Sequence, residues 1–138
     1  MEEAEAISAS QPSSSRSTAV ATAVALAGWL VPGLGHLLLW RWGRALVYFL
    51  SVGTLSLVGV ALHGKIFSPM GGDAFDWLGF LADAGAGVLY FLARVYADGS
   101  ADVSRAAGDY GTRFFATAGV LNLLFALDAR EIARRRKN

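Results

Sequence analysis

The chain contains no cysteine, which removes disulfides, thiolate nucleophiles and thiolate metal sites together. It has only two histidines and three prolines, and charged residues make up 17% of its 138 positions. No Gly-x-Ser-x-Gly elbow and no Gly-x-x-x-x-Gly-Lys-[Ser/Thr] loop occurs, so neither the hydrolase nucleophile turn nor a phosphate-binding loop is encoded. The net charge of +1, from 12 basic and 11 acidic residues, lacks the basic excess that a nucleic-acid binder needs to neutralise phosphates. What the chain has in quantity is apolar surface: 54% of its residues are hydrophobic, and the charges collect in short clusters between long apolar runs. A bilayer requires that distribution and a water-soluble core does not. The sequence therefore reads as an all-α integral membrane protein without cofactor or metal, whose partners are the lipid bilayer and a second copy or another membrane protein.

Residues 1–17 carry Glu2, Glu3, Glu5 and a Ser-rich stretch around Pro12, with little to bury, and read as a disordered amino-terminal tail. A membrane domain over 18–129 follows, with hydrophobic segments at about 18–39, 45–62, 77–96 and 114–128, expected to form an antiparallel bundle of four helices. The first segment contains Pro32-Gly33-Leu34-Gly35-His36, which predicts a kink or a break, since proline removes a helical donor and glycine opens backbone angles closed to other residues. Ala25-Leu26-Ala27 has the form of a signal-peptidase site, but the acidic start and the hydrophobicity continuing past it favour a retained helix. Trp40-Arg41-Trp42-Gly43-Arg44 has the composition of a membrane interface and closes a hairpin. Residues 63–76, with Pro69 and Gly71-Gly72, form a connection, as do residues 97–113 with their three aspartates. The fourth segment has only about 14 clean apolar residues, where a buried or tilted helix competes with a full crossing. Residues 130–138 are a basic carboxyl-terminal tail containing Arg134-Arg135-Arg136-Lys137.

Four crossings put both termini and the 63–76 connection on one side, with seven basic residues against five on the other. By the positive-inside rule that side is the cytoplasm. If the fourth segment lies in the interface instead, the amino terminus falls outside.

Asp83 is the most informative single residue, because a carboxylate within a membrane segment is expensive and faces a partner, a cavity or water. Gly79, Asp83 and Gly87 share a helix face through their spacing of four, and Ala118, Asn122 and Ala126 repeat it in the fourth segment. The two faces are expected to pack, with Asp83 and Asn122 at one depth and close enough to hydrogen-bond, and Ser56 near that level. His36 and His63 are separated by about 27 Å of helix and cannot share an ion within a simple hairpin. His36 is expected to satisfy backbone groups freed at Pro32 or to meet a lipid headgroup. These residues support three readings. The first is a non-enzymatic structural or interaction component in the bilayer. The second is a small oligomeric transporter or channel component using Asp83. The third is a lipid-acting enzyme around His36, Arg41 and Arg44, drawing its acid from Asp98, Asp102 or Asp109.

Gly28-Trp29-Leu30-Val31-Pro32-Gly33-Leu34-Gly35-His36, followed by Arg41-Trp42-Gly43-Arg44, resembles the hairpin of a small bacterial membrane-protein family of unknown function. The likeness continues through Trp77-Leu78-Gly79-Phe80-Leu81-Ala82-Asp83, Asp109-Tyr110-Gly111-Thr112 and Gly119-Val120-Leu121-Asn122. The hairpin is also distantly similar to the two-transmembrane-helix domain, although Leu38-Leu39-Trp40 stands where that domain has a Tyr-Leu-Gly stretch. Neither resemblance implies a catalytic or ligand-binding residue.

Overall fold

The computed structural model describes residues 2–97, 101 and 104–136, with side chains from Ser15 onward. Among these residues there is no strand, and six helices follow in order: α1 (Glu2–Leu30), α2 (Leu34–Leu38), α3 (Trp42–Ala61), α4 (Ala74–Ala84), α5 (Val88–Tyr96) and α6 (Ala106–Arg135). Helices α3 and α6 are each long and apolar enough to cross a membrane, and α4 with α5 makes a third candidate bent by 112°.

The two long helices run antiparallel. Tyr48 of α3 stacks on Phe125 of α6 with ring centroids 3.7 Å apart, while at the other end Gly59 packs on Gly111 and Phe115. These contacts define two poles of the molecule, one at Asp128 and one at Lys65, whose backbone N–H donates to Thr112. Apart from Phe115, the side chains turned inward are small: α3 buries Ala45, Val52, Ser56 and Gly59, and α6 buries a stripe running through Gly111, Ala118, Gly119, Asn122, Ala126 and Ala129. Leu46, Leu50, Leu57, Leu124 and Leu127 point outward, each more than half exposed. Small residues within and large apolar ones without is the arrangement of helices in lipid, where close backbone approach stabilises association and the solvent is itself apolar.

The remaining four helices form two folded-back pairs. Helix α1 runs inward from the Asp128 pole, with Ala21 and Val24 packed beside Ala129 and Ala133, and ends in mid-molecule with Trp29 beside Asn122. Helix α2 then returns to its starting pole, so that Gly35 fits against the Val24 carbonyl and Ala129, and Leu39 joins the Ala21 cluster. Helix α4 enters from the opposite pole, where Asp76 pairs with Lys65 at 2.9 Å, and reaches Gly119 and Asn122 at its end. Helix α5 turns back, placing Tyr90 and Ala93 with Phe115, Val60 and Ile66. Each half of the chain is thus a folded-back pair followed by a long helix, and the two pairs enter from opposite poles.

This arrangement corrects the expected bundle of four segments. The break at Pro32-Gly33 is present, but the 18–39 segment returns to the pole it left instead of crossing. Gly33 has φ 81°, and the Ala45 backbone leaves no space for a side chain there. The 77–96 segment is also two helices, because Gly85-Ala86-Gly87 ends α4 and Gly87 has φ 63°, a left-handed angle that other residues adopt at a cost. The expected 45–62 helix starts earlier, at Trp42, and the fourth segment is longer than 114–128. Pairs four residues apart, Arg113 with Asp109 at 2.8 Å and Arg135 with Glu131 at 3.0 Å, carry α6 past its apolar centre at both ends. The basic tail is therefore helical as far as Arg135, with Lys137 and Asn138 outside the described residues. At the amino end, the tail expected over 1–17 is carried in α1 from Glu2. Its alanines and glutamates favour a helix, whereas Pro12 and the serines around it do not, so local propensity alone does not account for this part of α1.

Candidate functional site

The tips of the two folded-back pairs meet in the middle of the molecule, on α6. A helix that stops inside a bundle leaves carbonyls without partners, and each unpaired group is costly where no water reaches. Three side-chain bonds answer that demand. The Asn122 amide nitrogen donates to the Trp29 carbonyl at 2.8 Å and to the Gly85 carbonyl at 2.9 Å, so one side chain takes an acceptor from each broken helix. The Trp29 indole nitrogen donates to the Ala84 carbonyl at 3.0 Å, tying the two tips directly. With both amide hydrogens facing carbonyls, the Asn122 orientation is fixed, since the flipped amide would oppose oxygen to oxygen. Its own Oδ1 is buried and has no partner among the described residues.

Close packing surrounds these bonds. A side chain at Gly87 would meet the carbonyls of Trp29 and Leu30, and one at Gly119 would meet the Ala82 carbonyl. Asn122 and Asp83 are both fully buried.

The structure separates the residues expected to pair. Asp83 lies in the last turn of α4, but its Oδ2 accepts from the Phe67 backbone N–H at 2.8 Å, and it makes no bond to Asn122. Gly79 packs against the Phe67 ring, so the Gly79–Asp83 face covers the connection after α3, whereas Ala82, Gly85 and Ala86 meet α6. Phe67 is held a second time, its carbonyl accepting from the Tyr90 hydroxyl at 3.0 Å. Asp83 Oδ1 and Ser56 Oγ are buried without a partner among the described residues.

A second polar group lies at the other pole. His36, only 1% exposed, places Nε2 2.9 Å from Asp128 Oδ2, and Arg44 Nη1 reaches the same oxygen at 3.5 Å. The edge of the His36 ring meets Tyr48, which stacks on Phe125. His36 therefore binds a side chain on α6 and not the backbone freed at Pro32. The acid beside it is Asp128; Asp109 stands near the opposite pole, and Asp98 and Asp102 lie outside the described residues. Arg41, at the start of α3, makes no ion pair among the described residues, and no group of three His, Cys, Asp or Glu side chains stands together among them. Asp128 is the one acid between the apolar stretch of α6 and Arg130, and the sequence pattern marks only its place at the end of the fourth segment. Nothing in the local pattern marked Trp29, Phe67 or Tyr90, whose roles depend on helices distant in sequence.

Residues 23–138 match the model of a family of unknown function, DUF6677. The chain belongs to this family. No curated protein and no solved structure matches it. The matched region begins inside α1 and includes both helix breaks, Asn122 and the His36–Asp128 contact, so the whole described site lies within the family's domain.

Proposed function

We propose that this member of DUF6677 is a non-enzymatic multi-pass protein of the bacterial inner membrane, a structural or interaction component working within the bilayer with a second copy or another membrane protein. It crosses the membrane twice, through α3 and α6, and dips into it from opposite faces through α1–α2 and α4–α5. The observation that carries this reading is the closure of the two tips on Asn122, where three hydrogen bonds and contacts at glycine fill the centre with packed backbone. Charge sets the orientation. Arg16, Arg41, Arg44, Arg130, Arg134, Arg135 and Arg136 belong to the Asp128 pole, seven in all, against Lys65, Arg94, Arg105 and Arg113 at the other. The positive-inside rule then puts the Asp128 pole and both termini in the cytoplasm.

Single cysteines test the topology cleanly in a chain that has none. At Ser17, Gly43 and Arg136 they are expected to react with an impermeant maleimide only after the cytoplasmic face is opened, and at the exposed positions Gly72 and Ala107 from outside. Labelling of Gly43 from outside and Gly72 from within would restore four crossings and remove the re-entrant reading.

One observation favours a second reading, a transporter or channel component using Asp83: a fully buried carboxylate with one unpaired oxygen, carried by a discontinuous helix. It requires water to reach Asp83, so protection of a cysteine at Ala82 and Asp83 from small permeant thiol reagents argues against it. The lipid-acting reading of His36, Arg41 and Arg44 has less support, because His36 and Arg44 are both engaged by Asp128.

A further inference from the structure

A cavity of about 320 Å3 opens on the outer surface between the α1–α2 tip and α3. Its walls are Val31, Pro32 and Leu34 on one side and Trp42, Leu46 and Phe49 on the other. It begins at the Asp128 pole and ends at the tip, covering the first two turns of α3, about 11 Å of the ~30 Å hydrocarbon core. A partner helix crossing the membrane would need a seat along its full length. A groove about 11 Å long that closes at the α1–α2 tip, within the ~15 Å of one leaflet, matches part of a lipid chain.

A basic residue adjoins the groove in the chain without forming its wall. Arg41 precedes Trp42, which lines the cavity, and stands one helical turn before Ala45, another lining residue. It is half-buried and makes no ion pair among the described residues, unlike Arg44 one position beyond the tryptophan and glycine, which faces Asp128. Trp40 and Trp42, 77% and 62% exposed, flank it as interfacial anchors. We infer that this groove is a binding site for an anionic phospholipid, with one acyl chain between α2 and α3 and the headgroup phosphate on Arg41. The inference rests on α3 crossing the bilayer, but not on which leaflet holds the Asp128 pole, nor on the proposed structural role.

The test uses the full chain reconstituted in nanodiscs with phosphatidylglycerol or phosphatidylcholine bearing a photoreactive acyl chain, with cross-linked peptides read by mass spectrometry. Cross-links are expected on peptides containing Leu34 and Leu46–Phe49, with phosphatidylglycerol competing about fivefold better than phosphatidylcholine, the contribution of one basic residue near an anionic headgroup. Arg41→Gln is expected to abolish that preference, Arg41→Lys to retain it, and Arg44→Gln to leave it unchanged. Ala45→Phe, which fills the groove, should remove the cross-links with either lipid. Labelling spread evenly over Leu57, Leu124 and Leu127 would show ordinary annular lipid and overturn the proposal, as would a headgroup preference that survives Arg41→Gln. An unlabelled groove with cross-links between copies at Leu46 would overturn it in favour of a protein occupant. Cysteine labelling of Gly43 and Gly72 in the same nanodiscs separates failure of the site from failure of the topology.

Discussion

The side-chain amide of Asn122 donates to the carbonyl of Trp29 at 2.8 Å, joining the middle of the longest helix to the last turn of α1 across 93 positions of sequence. The same nitrogen holds Gly85 at 2.9 Å, so a single residue completes the ends of both folded-back pairs. Asn122→Ala removes both bonds without adding bulk at this fully buried site. Interhelical hydrogen bonds in membranes contribute about 0.6 to 1.7 kcal/mol each, so a loss of about 1–3 kcal/mol is expected. Unfolding in mixed micelles of mild detergent and dodecyl sulfate measures it. A variant as stable as the parent would show that the tips hold together without the amide.

Gly119 and Gly53 make a matched pair of helical glycines with opposite surroundings. A methyl group at Gly119 meets the Ala82 carbonyl of α4, whereas nothing lies within 4 Å of one at Gly53. Gly119→Ala is expected to push α4 from α6 and cost about 1–3 kcal/mol. Gly53→Ala should be neutral or stabilising by up to about 1 kcal/mol, through reduced backbone freedom in the unfolded chain. Thermal unfolding of the two variants in one detergent compares them directly.

The periodicities of the sequence identify helices well and say little about their direction. Long apolar stretches, interfacial Trp40 and Trp42 and the Pro32 break are all readable, because hydropathy and proline chemistry act locally. The return of α2 beside α1 is not, since it depends on Gly35 reaching the Val24 carbonyl and on His36 finding Asp128, 92 residues away. At the second break the signal is Gly85-Ala86-Gly87, which is indistinguishable in sequence from a small-residue packing face. Asn122 stands out as a polar residue in an apolar helix, yet its partners are backbone carbonyls, which no residue pattern advertises. The Asp83 to Asn122 pairing fails for the same reason: equal depth along two helices does not fix which way a side chain turns.

His36 and Asp128 are expected to be energetically coupled. Their contact of 2.9 Å has the imidazole fully buried and the carboxylate partly open, while Arg44 approaches from an exposed position at 3.5 Å. A double-mutant cycle of His36→Leu and Asp128→Ala should give a coupling of about 0.5–2 kcal/mol. Arg44→Gln should cost less than about 1 kcal/mol, as exposed ion pairs generally do. Purely additive single substitutions would mean that the histidine holds α2 in place by packing on Tyr48 alone.

Asp83 and Tyr90 grip one residue of the connection between α3 and α4, the carboxylate taking the Phe67 N–H and the hydroxyl donating to the Phe67 carbonyl. The connection contains Pro69 and Gly71-Gly72 and is not itself helical, so these two bonds and the Lys65 to Asp76 pair are what fix it against α4 and α5. Hydrogen exchange resolved around residues 66–68 reads that grip without depending on overall stability. Asp83→Ala should speed exchange of the Phe67 amide about tenfold, the loss of one buried hydrogen bond. Tyr90→Phe should act less on that amide, because it frees an acceptor and leaves the Phe67 donor in place. If Asp83→Ala changes neither this exchange nor the unfolding midpoint, the carboxylate is not retained for packing. The cost of burying it would then have to be explained by work done on a proton or a cation, which is the transport reading.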